Sequence, residues 1–145
     1  MKTCSKCHVA KATEHFPVRG RLDHRNRCRP CNSTWAKKRR LQTNDRHLQY
    51  LYNACRQRQK NRYKDELITL ERFKAIYLAQ GGVCVETGVP FDLQSKDLMP
   101  SPDRIDNDAG YVDGNIRFVT WRINNMRKNM STARFQSTCM EDIDR

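Results

Sequence analysis

The sequence lacks long apolar runs, since no stretch approaches the ~20 residues that a bilayer-spanning helix needs. Only 37% of its 145 residues are hydrophobic and only 8% are aromatic. A chain of this size therefore builds a small core, and such cores often need a metal or disulfides for stability. The first residues, MKTCSKCHVAK, also lack the apolar segment of a secretory signal. We therefore expect a cytoplasmic protein with no membrane partner, built as one domain or two very small ones.

Carboxylates are also scarce, because 16 Asp and Glu face 28 Lys and Arg and leave a net charge of +12. This charge predicts a polyanionic partner, with nucleic acid the first candidate and an acidic membrane surface the second. The basic run KKRR at 37–40 is equally compatible with a solvated linker, because charge runs often are. The candidate DNA contacts are Lys37, Lys38, Arg39, Arg40, Arg56, Lys60, Lys64 and Lys128.

The seven cysteines, an odd number, argue against a disulfide framework. Two Cys-x-x-Cys pairs predict one structural zinc per chain, because each tight turn supplies two thiolates to a tetrahedral ion. A redox pair is the alternative, but it usually occurs in a βαβ context that is absent here. The predicted ligands are Cys4, Cys7, Cys28 and Cys31. The remaining cysteines are expected to be small buried apolar residues: Cys55, Cys84 and Cys139.

Apolar periodicity predicts two helices in the middle of the chain. The first spans 47–64, with a buried face formed by Leu48, Leu51, Tyr52 and Cys55 and a basic ridge formed by Arg56, Lys60 and Lys64. The second begins after Thr69, a favourable N-cap, and ends at Gly81–Gly82. Its predicted inward residues are Phe73, Ile76 and Tyr77.

The C-terminal region combines a strand, an acidic loop, a second strand and a helix. Asp103 lies near the end of the first strand, IRFVT at 116–120 is the second, and the helix spans 121–130. Asn124 and Lys128 are four residues apart and share a face. If the helix packs across the hairpin, Asp103 and Asn124 converge, and their oxygens suit Mg²⁺ or Mn²⁺. The predicted inward residues of this helix are Ile123, Met126 and Met130, and those of a last helix from about Thr132 are Phe135, Cys139 and Ile143.

The segment SPDRIDNDAGYVDGNIRFVTWRINNMRKNM resembles the HNH endonucleases, or ββα-metal nucleases, and the cysteine pairs resemble those of small phage-type members. The resemblance implies that Asp103 and Asn124 are metal ligands and that the side chain of Asn115 ties the loop to the backbone. It implies a small α+β fold with a zinc-knuckle module at 1–35, a basic helical region at 36–80 and an HNH-like ββα-metal nuclease domain at 81–145.

The sequence departs from the family pattern where Arg104 replaces the histidine that acts as general base. Arginine remains protonated, so it cannot accept a proton, but it can bind the scissile phosphate. Tyr111 matches an Asp-Arg variant of the motif and is either the base or a packing residue of the loop. A loop carboxylate, Asp106 or Asp108, or the metal alone are the other candidates for activating water.

A second departure concerns the second zinc of many relatives. Its matching positions contain a single cysteine, so we expect that packing replaces the metal there. Those positions are Cys84, Thr87, Thr120 and Ile123, and the expected packing residues are Val83, Val89, Phe91 and Trp121.

The leading hypothesis is therefore a phage-encoded, metal-dependent endonuclease that hydrolyses phosphodiester bonds of double-stranded DNA in the bacterial cytoplasm. The alternative is a non-catalytic zinc protein that binds DNA or RNA on a decayed HNH scaffold. The sequence does not predict the target site, nicking as opposed to double-strand cutting, the choice between monomer and homodimer, or a homing, restriction or processing role.

Overall fold

The structure is a computed structural model that describes residues 1–18, 25–128, 130–131 and 133–137. It forms a small α+β protein with two compact units, Met1–Arg46 and His47–Arg145. This division differs from the predicted boundaries after residues 35 and 80, since residue 36 lies inside a helix. Within the described residues, no helix has the length and apolar character needed to cross a bilayer.

The N-terminal unit consists of a small antiparallel hairpin and a basic helix. Its elements are β1 (Lys2–Thr3), β2 (Ala10–Lys11), a 3-10 helix (Thr13–His15) and α1 (Arg29–Arg40). Cys28 is the N-cap of α1 and a proline follows in the first turn, where its missing N–H costs nothing. The KKRR run forms the last turn of α1, so its interpretation as a linker was wrong: Lys and Arg are good helix formers.

The C-terminal unit packs helices against an antiparallel hairpin. The unit boundary falls near the start of α2, and the elements are α2 (Asn44–Arg62), α3 (Leu70–Ala79), β3 (Pro100–Arg104), β4 (Ile116–Thr120) and α4 (Trp121–Arg127). Residues 133–137 are also helical. The prediction for α3 is confirmed, including the Thr69 cap, whose side chain accepts a hydrogen bond from the Arg72 backbone. The prediction for α2 is confirmed except at its end, since Lys64 lies beyond the helix.

One apolar cluster holds this unit together. Phe118 of β4 lies at its centre and packs edge-to-face on Phe73 and Tyr77, with ring centroids 5.0 and 5.4 Å away. The buried members are Leu48, Cys55, Ile68, Phe73, Tyr77, Tyr111, Ile116 and Phe118. The predicted burial of Cys55 and Cys84 is confirmed. Cys139 lies outside the described residues.

The C-terminal helix is shorter than predicted. It ends at Arg127, because Lys128 has a φ of 49° and breaks the helical geometry. Met126 is 52% exposed, so its predicted inward position was wrong, and Arg127 occupies the buried side instead at 1% exposure. Met130 and Lys128 follow the helix, and Lys128 does not share a helical face with Asn124.

The packing expected around Cys84 is confirmed in part. Phe91 stacks on Tyr77 at a centroid distance of 5.6 Å, whereas Val89 is exposed. Near the C-terminus, Phe135 is buried as predicted. Cys139 and Ile143, the other predicted members of that face, lie outside the described residues.

Candidate metal centre and nuclease site

Four cysteine sulfurs converge beside the N-terminal hairpin. The Sγ atoms of Cys4, Cys7, Cys28 and Cys31 all lie within 4.8 Å of one another. In a tetrahedral zinc–thiolate site the sulfurs are roughly 3.8 Å apart, because each Zn–S bond is about 2.3 Å. The six described cysteines form no disulfide. The cluster can therefore hold a metal ion, as the paired spacing predicts.

The environment of the cluster favours thiolates. The Sγ of Cys4 accepts backbone N–H groups of Lys6 at 3.4 Å and Cys28 at 3.3 Å, and the Lys11 ammonium donates to the Sγ of Cys28 at 3.6 Å. Hydrogen bonds from backbone amides, first that of Cys7, lower the pKa of Cys4 to about 5. Hydrogen bonding with the Cys28 sulfur raises the pKa of Cys31 to about 12. Without metal the sulfurs share protons, and zinc binding would release them.

The second site lies on the hairpin of β3 and β4. The strands pair antiparallel, with Asp103 opposite Arg117 and Arg104 opposite Ile116. Because side chains alternate along a strand, Asp103 and Arg104 point to opposite faces. On the Asp103 face, the side-chain amide of Asn124 donates to the Ser101 hydroxyl at 2.7 Å and the Pro102 carbonyl at 3.3 Å. Helix α4 thus places Asn124 beside the strand that carries Asp103.

Asp103 belongs to a buried network of four charges that sequence reasoning missed. Its Oδ2 accepts hydrogen bonds from Arg117 Nε at 2.9 Å and from Arg127 Nη1. Glu86 Oε1 lies 2.8 Å from Arg117 Nη2 and 4.0 Å from Arg127 Nη1. Burial raises the pKa of Asp103, and the bond from Arg117 opposes that rise. The charges of the two carboxylates and the two guanidiniums balance. The only feature of the sequence that pointed to this network was an arginine inside the apolar strand IRFVT.

Asn115 closes the loop between the two strands. Its side chain donates to the carbonyls of Asp106 at 3.0 Å and Gly110 at 2.9 Å, and its carbonyl oxygen accepts from the Asp106 backbone at 2.8 Å. The side chain ties the loop to the backbone, as the resemblance implies. The loop conformation therefore depends on one buried carboxamide.

Arg104 and Tyr111 lie on the other face of the hairpin. The Arg104 guanidinium donates to the carbonyls of Asn107 and Ala109 at 2.7 and 2.9 Å, and to the Tyr63 hydroxyl. Tyr111 is 6% exposed, and its hydroxyl accepts from Arg58 Nη1 at 3.3 Å. Asn124 contacts the strand on the face that carries Asp103, whereas Arg104 and Tyr111 share the opposite face, with the Arg104 guanidinium carbon 5.4 Å from the Tyr111 ring centroid. The loop carboxylates Asp106 and Asp108 are exposed.

The predicted DNA contacts occupy exposed positions in both units. Lys37, Lys38 and Arg39 are exposed in the last turn of α1, and Arg40 is partly buried. In the C-terminal unit, the exposed residues are Arg56 and Lys60 of α2, Lys64 just after it, and Lys128 just after α4.

Comparisons with known proteins add little to this geometry. No protein-family model matches the chain, and no curated protein matches it. A solved structure of the rare-cutting HNH restriction endonuclease PacI aligns with a TM-score of 0.44 and 19% sequence identity. The alignment covers 95% of this chain and 90% of that chain. A similarity this weak carries no functional argument, so the function has to be inferred from the site itself.

Proposed function

We propose that this protein is a metal-dependent DNA endonuclease of the HNH type, a small phage-type member with Asp-Arg in place of Asp-His. The observation that carries the proposal is the placement of Asn124 by α4 beside the strand of Asp103, next to a loop closed by Asn115. This combines a carboxylate and a carboxamide at one end of a hairpin with a structured return loop. The net charge of +12 supplies the attraction for DNA.

The donor atoms fit a hard cation in type, because Asp103 and Asn124 offer oxygen ligands of the kind that Mg²⁺ and Mn²⁺ take. When bound, the ion would polarise a phosphate oxygen and lower the pKa of a coordinated water. The chain's own task is then to present these oxygens. Since Asp103 Oδ2 already accepts from Arg117 and Arg127, the ion would be held by Oδ1, or by Oδ2 after a guanidinium releases it.

Arg104 and Tyr111 are proposed to act around the scissile phosphate. Arg104 would neutralise phosphate charge, and Tyr111 would accept a proton from the attacking water. The Arg58 guanidinium donates a hydrogen bond to the Tyr111 hydroxyl at 3.3 Å and so fixes the position of that oxygen. In the DNA-free protein both side chains are engaged by the loop and by α2 on the hairpin face opposite Asp103, so this role requires them to leave those contacts and reach the Asp103 face. Asp106 and Asp108, which are exposed, remain the alternative proton acceptors.

The four-cysteine cluster is proposed to hold one structural zinc. Four protein sulfurs complete a tetrahedral shell, so this ion would have no open position for chemistry. Phosphate contacts are proposed for Lys37, Lys38, Arg39, Arg40, Arg56, Lys60, Lys64 and Lys128.

The test is cleavage of supercoiled plasmid with Mg²⁺ or Mn²⁺, followed by mapping of the ends. Asn124→Ala should lower the cleavage rate more than about 100-fold, while Asn125→Ala, the exposed neighbour on the same helix, should cleave at the wild-type rate. Equal rates for the two variants would remove Asn124 from the metal site. Circular dichroism and zinc content of both variants establish that each is folded.

The second candidate is a non-catalytic nucleic-acid-binding protein, and the charge network favours it. Two arginines already balance the charge of the buried aspartate, so no uncompensated carboxylate is left for a metal to neutralise. This candidate predicts that wild-type protein binds DNA but leaves the plasmid supercoiled with either metal. It also predicts that Mn²⁺ titrated into the DNA complex gives no binding heat.

A further inference from the structure

A cleft on the N-terminal unit combines an aromatic ring with several cations. Its lining residues are Trp35, Lys38, Arg39, Gln42 and Arg46, and its volume is about 360 Å³. Trp35, Lys38 and Arg39 recur at i, i+3 and i+4 and so share one face of α1, whereas Gln42 lies just after that helix and Arg46 in the first turn of α2. None of the lining residues is acidic and three are cationic, namely Lys38, Arg39 and Arg46. The cleft is therefore positively charged.

In the wall of the cleft, the indole ring of Trp35 lies against arginine guanidinium groups. The guanidinium carbon of Arg39 lies 5.3 Å from the centroid of the Trp35 ring, and that of Arg27 lies at the same distance. Arg46 donates to the Gln42 side chain, which fixes a cation at the far end of the cleft. The arrangement offers a flat cationic surface for stacking together with charges for an anion.

We propose that this cleft binds one nucleotide unit of an unpaired DNA strand. The base stacks on the layer of Trp35 and Arg39, and the adjoining phosphates pair with Lys38 and Arg46. Single-stranded nucleic acid is held in this way, by aromatic and guanidinium planes under the bases and a cationic groove along the backbone. Ligand clefts typically span roughly 300–1,000 Å³, so this volume suits one nucleotide rather than a longer segment. The inference rests on the proposed function only in taking DNA as the partner.

The start of α1 connects the four-cysteine cluster with the cleft. Helix α1 begins directly after Cys28, and the Asn32 side chain donates to the Arg27 carbonyl at 3.2 Å. This places Arg27 against Trp35 only while the start of α1 is folded. Loss of the metal should therefore disorganise the cleft.

The chain contains two tryptophans, so Trp121→Phe leaves Trp35 as the only indole. In this background, a short single-stranded oligonucleotide should quench the fluorescence of Trp35. The duplex of the same sequence and inorganic phosphate, each at the same phosphate concentration, should leave the fluorescence unchanged. Titrations are made without added Mg²⁺, so binding is measured separately from cleavage, and a failure of either proposal can be recognised on its own.

Substitutions then separate the cleft from the general charge of the N-terminal unit. Lys38→Gln and Arg46→Gln should each weaken single-strand binding about 5- to 10-fold, and Trp35→Leu about 10-fold or more. Lys6→Gln removes an equal charge from an exposed position of the same unit that does not line the cleft, and it should weaken binding less than about 2-fold. Zinc content checks folding, and Arg46→Gln keeps the test valid if Trp35→Leu does not fold. Equal losses for Lys6→Gln and Lys38→Gln, or equal quenching by duplex or phosphate, would overturn the proposal.

Discussion

The two units of this protein have cores of different chemistry. In the N-terminal unit the buried apolar cluster consists of Cys4, Phe16 and Cys28, with Cys31 partly buried against it. Three of these four residues are also metal-ligand candidates. The C-terminal unit buries eight residues, four of them aromatic, in a continuous cluster. Folding of the first unit should therefore depend on metal, whereas apolar burial should suffice for the second.

The largest expected effect is the loss of the N-terminal unit when Cys28 is replaced by serine. Structural zinc contributes about 10–16 kcal/mol in small zinc peptides, far more than a core of one phenylalanine can supply. Amide exchange of residues 1–18 and 25–46 should rise to the rate of an unfolded chain, while 47–128 stays protected. Cys84→Ser, which changes a buried sulfur of the other unit, should keep zinc at one per chain. Protected N-terminal amides in Cys28→Ser would refute metal-dependent folding.

Thiol labelling should also distinguish the unit whose folding depends on metal from the unit that folds by apolar burial. After chelation, the four cysteines of the cluster should react with iodoacetamide at pH 8. Cys55 should remain unlabelled, because burial leaves it with no exposed surface and raises its pKa to about 12. At pH 8 the Cys55 thiol therefore stays almost entirely protonated, and iodoacetamide reacts with the thiolate. Peptide mapping by mass spectrometry measures this, and early labelling of Cys55 would mean that the second unit also opens without metal.

The same pKa predicts a pH dependence for the C-terminal unit. The folded-state pKa of Cys55 lies above its usual value of 9.0, so the protonated thiol favours the folded state. That contribution is complete below about pH 9 and is lost as the pH rises towards 12. Cys55→Ala should therefore flatten the alkaline part of the stability profile.

Phe73→Ala is the converse of Cys28→Ser, because it disrupts the apolar cluster of the C-terminal unit and leaves the candidate metal ligands intact. Truncating a fully buried phenylalanine costs about 3–5 kcal/mol, and Phe73 contacts both Tyr52 and Phe118. The urea midpoint of the C-terminal unit should fall, while zinc content stays unchanged. Leu78→Ala, on an exposed position of the same helix, should change the free energy of unfolding by less than about 0.5 kcal/mol. Zinc loss in Phe73→Ala would show that the units are not independent.

Local signals in the sequence predicted the elements well, because each depends on neighbouring residues. The Thr69 cap, the strand IRFVT and the cysteine spacing all follow from the chemistry of a few adjacent positions. The helical state of KKRR was missed because charge density was taken as the sign of a linker, although α1 is anchored by Cys28 and a following proline.

The charge network could not be predicted for a different reason. Glu86, Asp103, Arg117 and Arg127 come from four separate segments, and hydropathy assigns charged residues to the surface. The backbone explains the convergence, because the Val85 amide bonds to the Phe118 carbonyl at 3.2 Å and brings Glu86 to the hairpin. The same reliance on hydropathy led to the prediction that Met126 is buried. Arg127, which is the buried residue in the structure, was given no role.

Gln59→Ala should have an intermediate effect within the C-terminal unit. Gln59 is buried, its Oε1 accepts from the Tyr111 backbone at 2.7 Å and its Nε2 donates to the Asp65 carbonyl at 2.8 Å. Removing both bonds leaves the buried Tyr111 amide without a partner and releases the Asp65 carbonyl, at about 1–3 kcal/mol. Thermal unfolding and amide exchange of residues 105–115 measure the loss. Gln57→Ala, exposed on the same helix, is the control, and equal effects would mean that Gln59 does not fix the loop.

The smallest effects are expected on the exposed ridge of the C-terminal unit. Arg56 and Lys60 are exposed and one helical turn apart, so they offer charge to phosphates without an aromatic wall. Each substitution by glutamine should reduce the slope of log K against log salt by about 1 and weaken duplex DNA binding similarly across sequences. Substitutions in the cleft of the N-terminal unit should instead lower the affinity for unpaired DNA. Raising the salt concentration should reproduce only part of that loss, because salt does not screen the stacking of a base on Trp35. Fluorescence anisotropy over a salt series measures both, with Asn53→Ala as a neutral control on α2. If ridge and cleft variants gave the same salt slopes and the same preference between single-stranded and duplex DNA, the two units would bind DNA through charge alone.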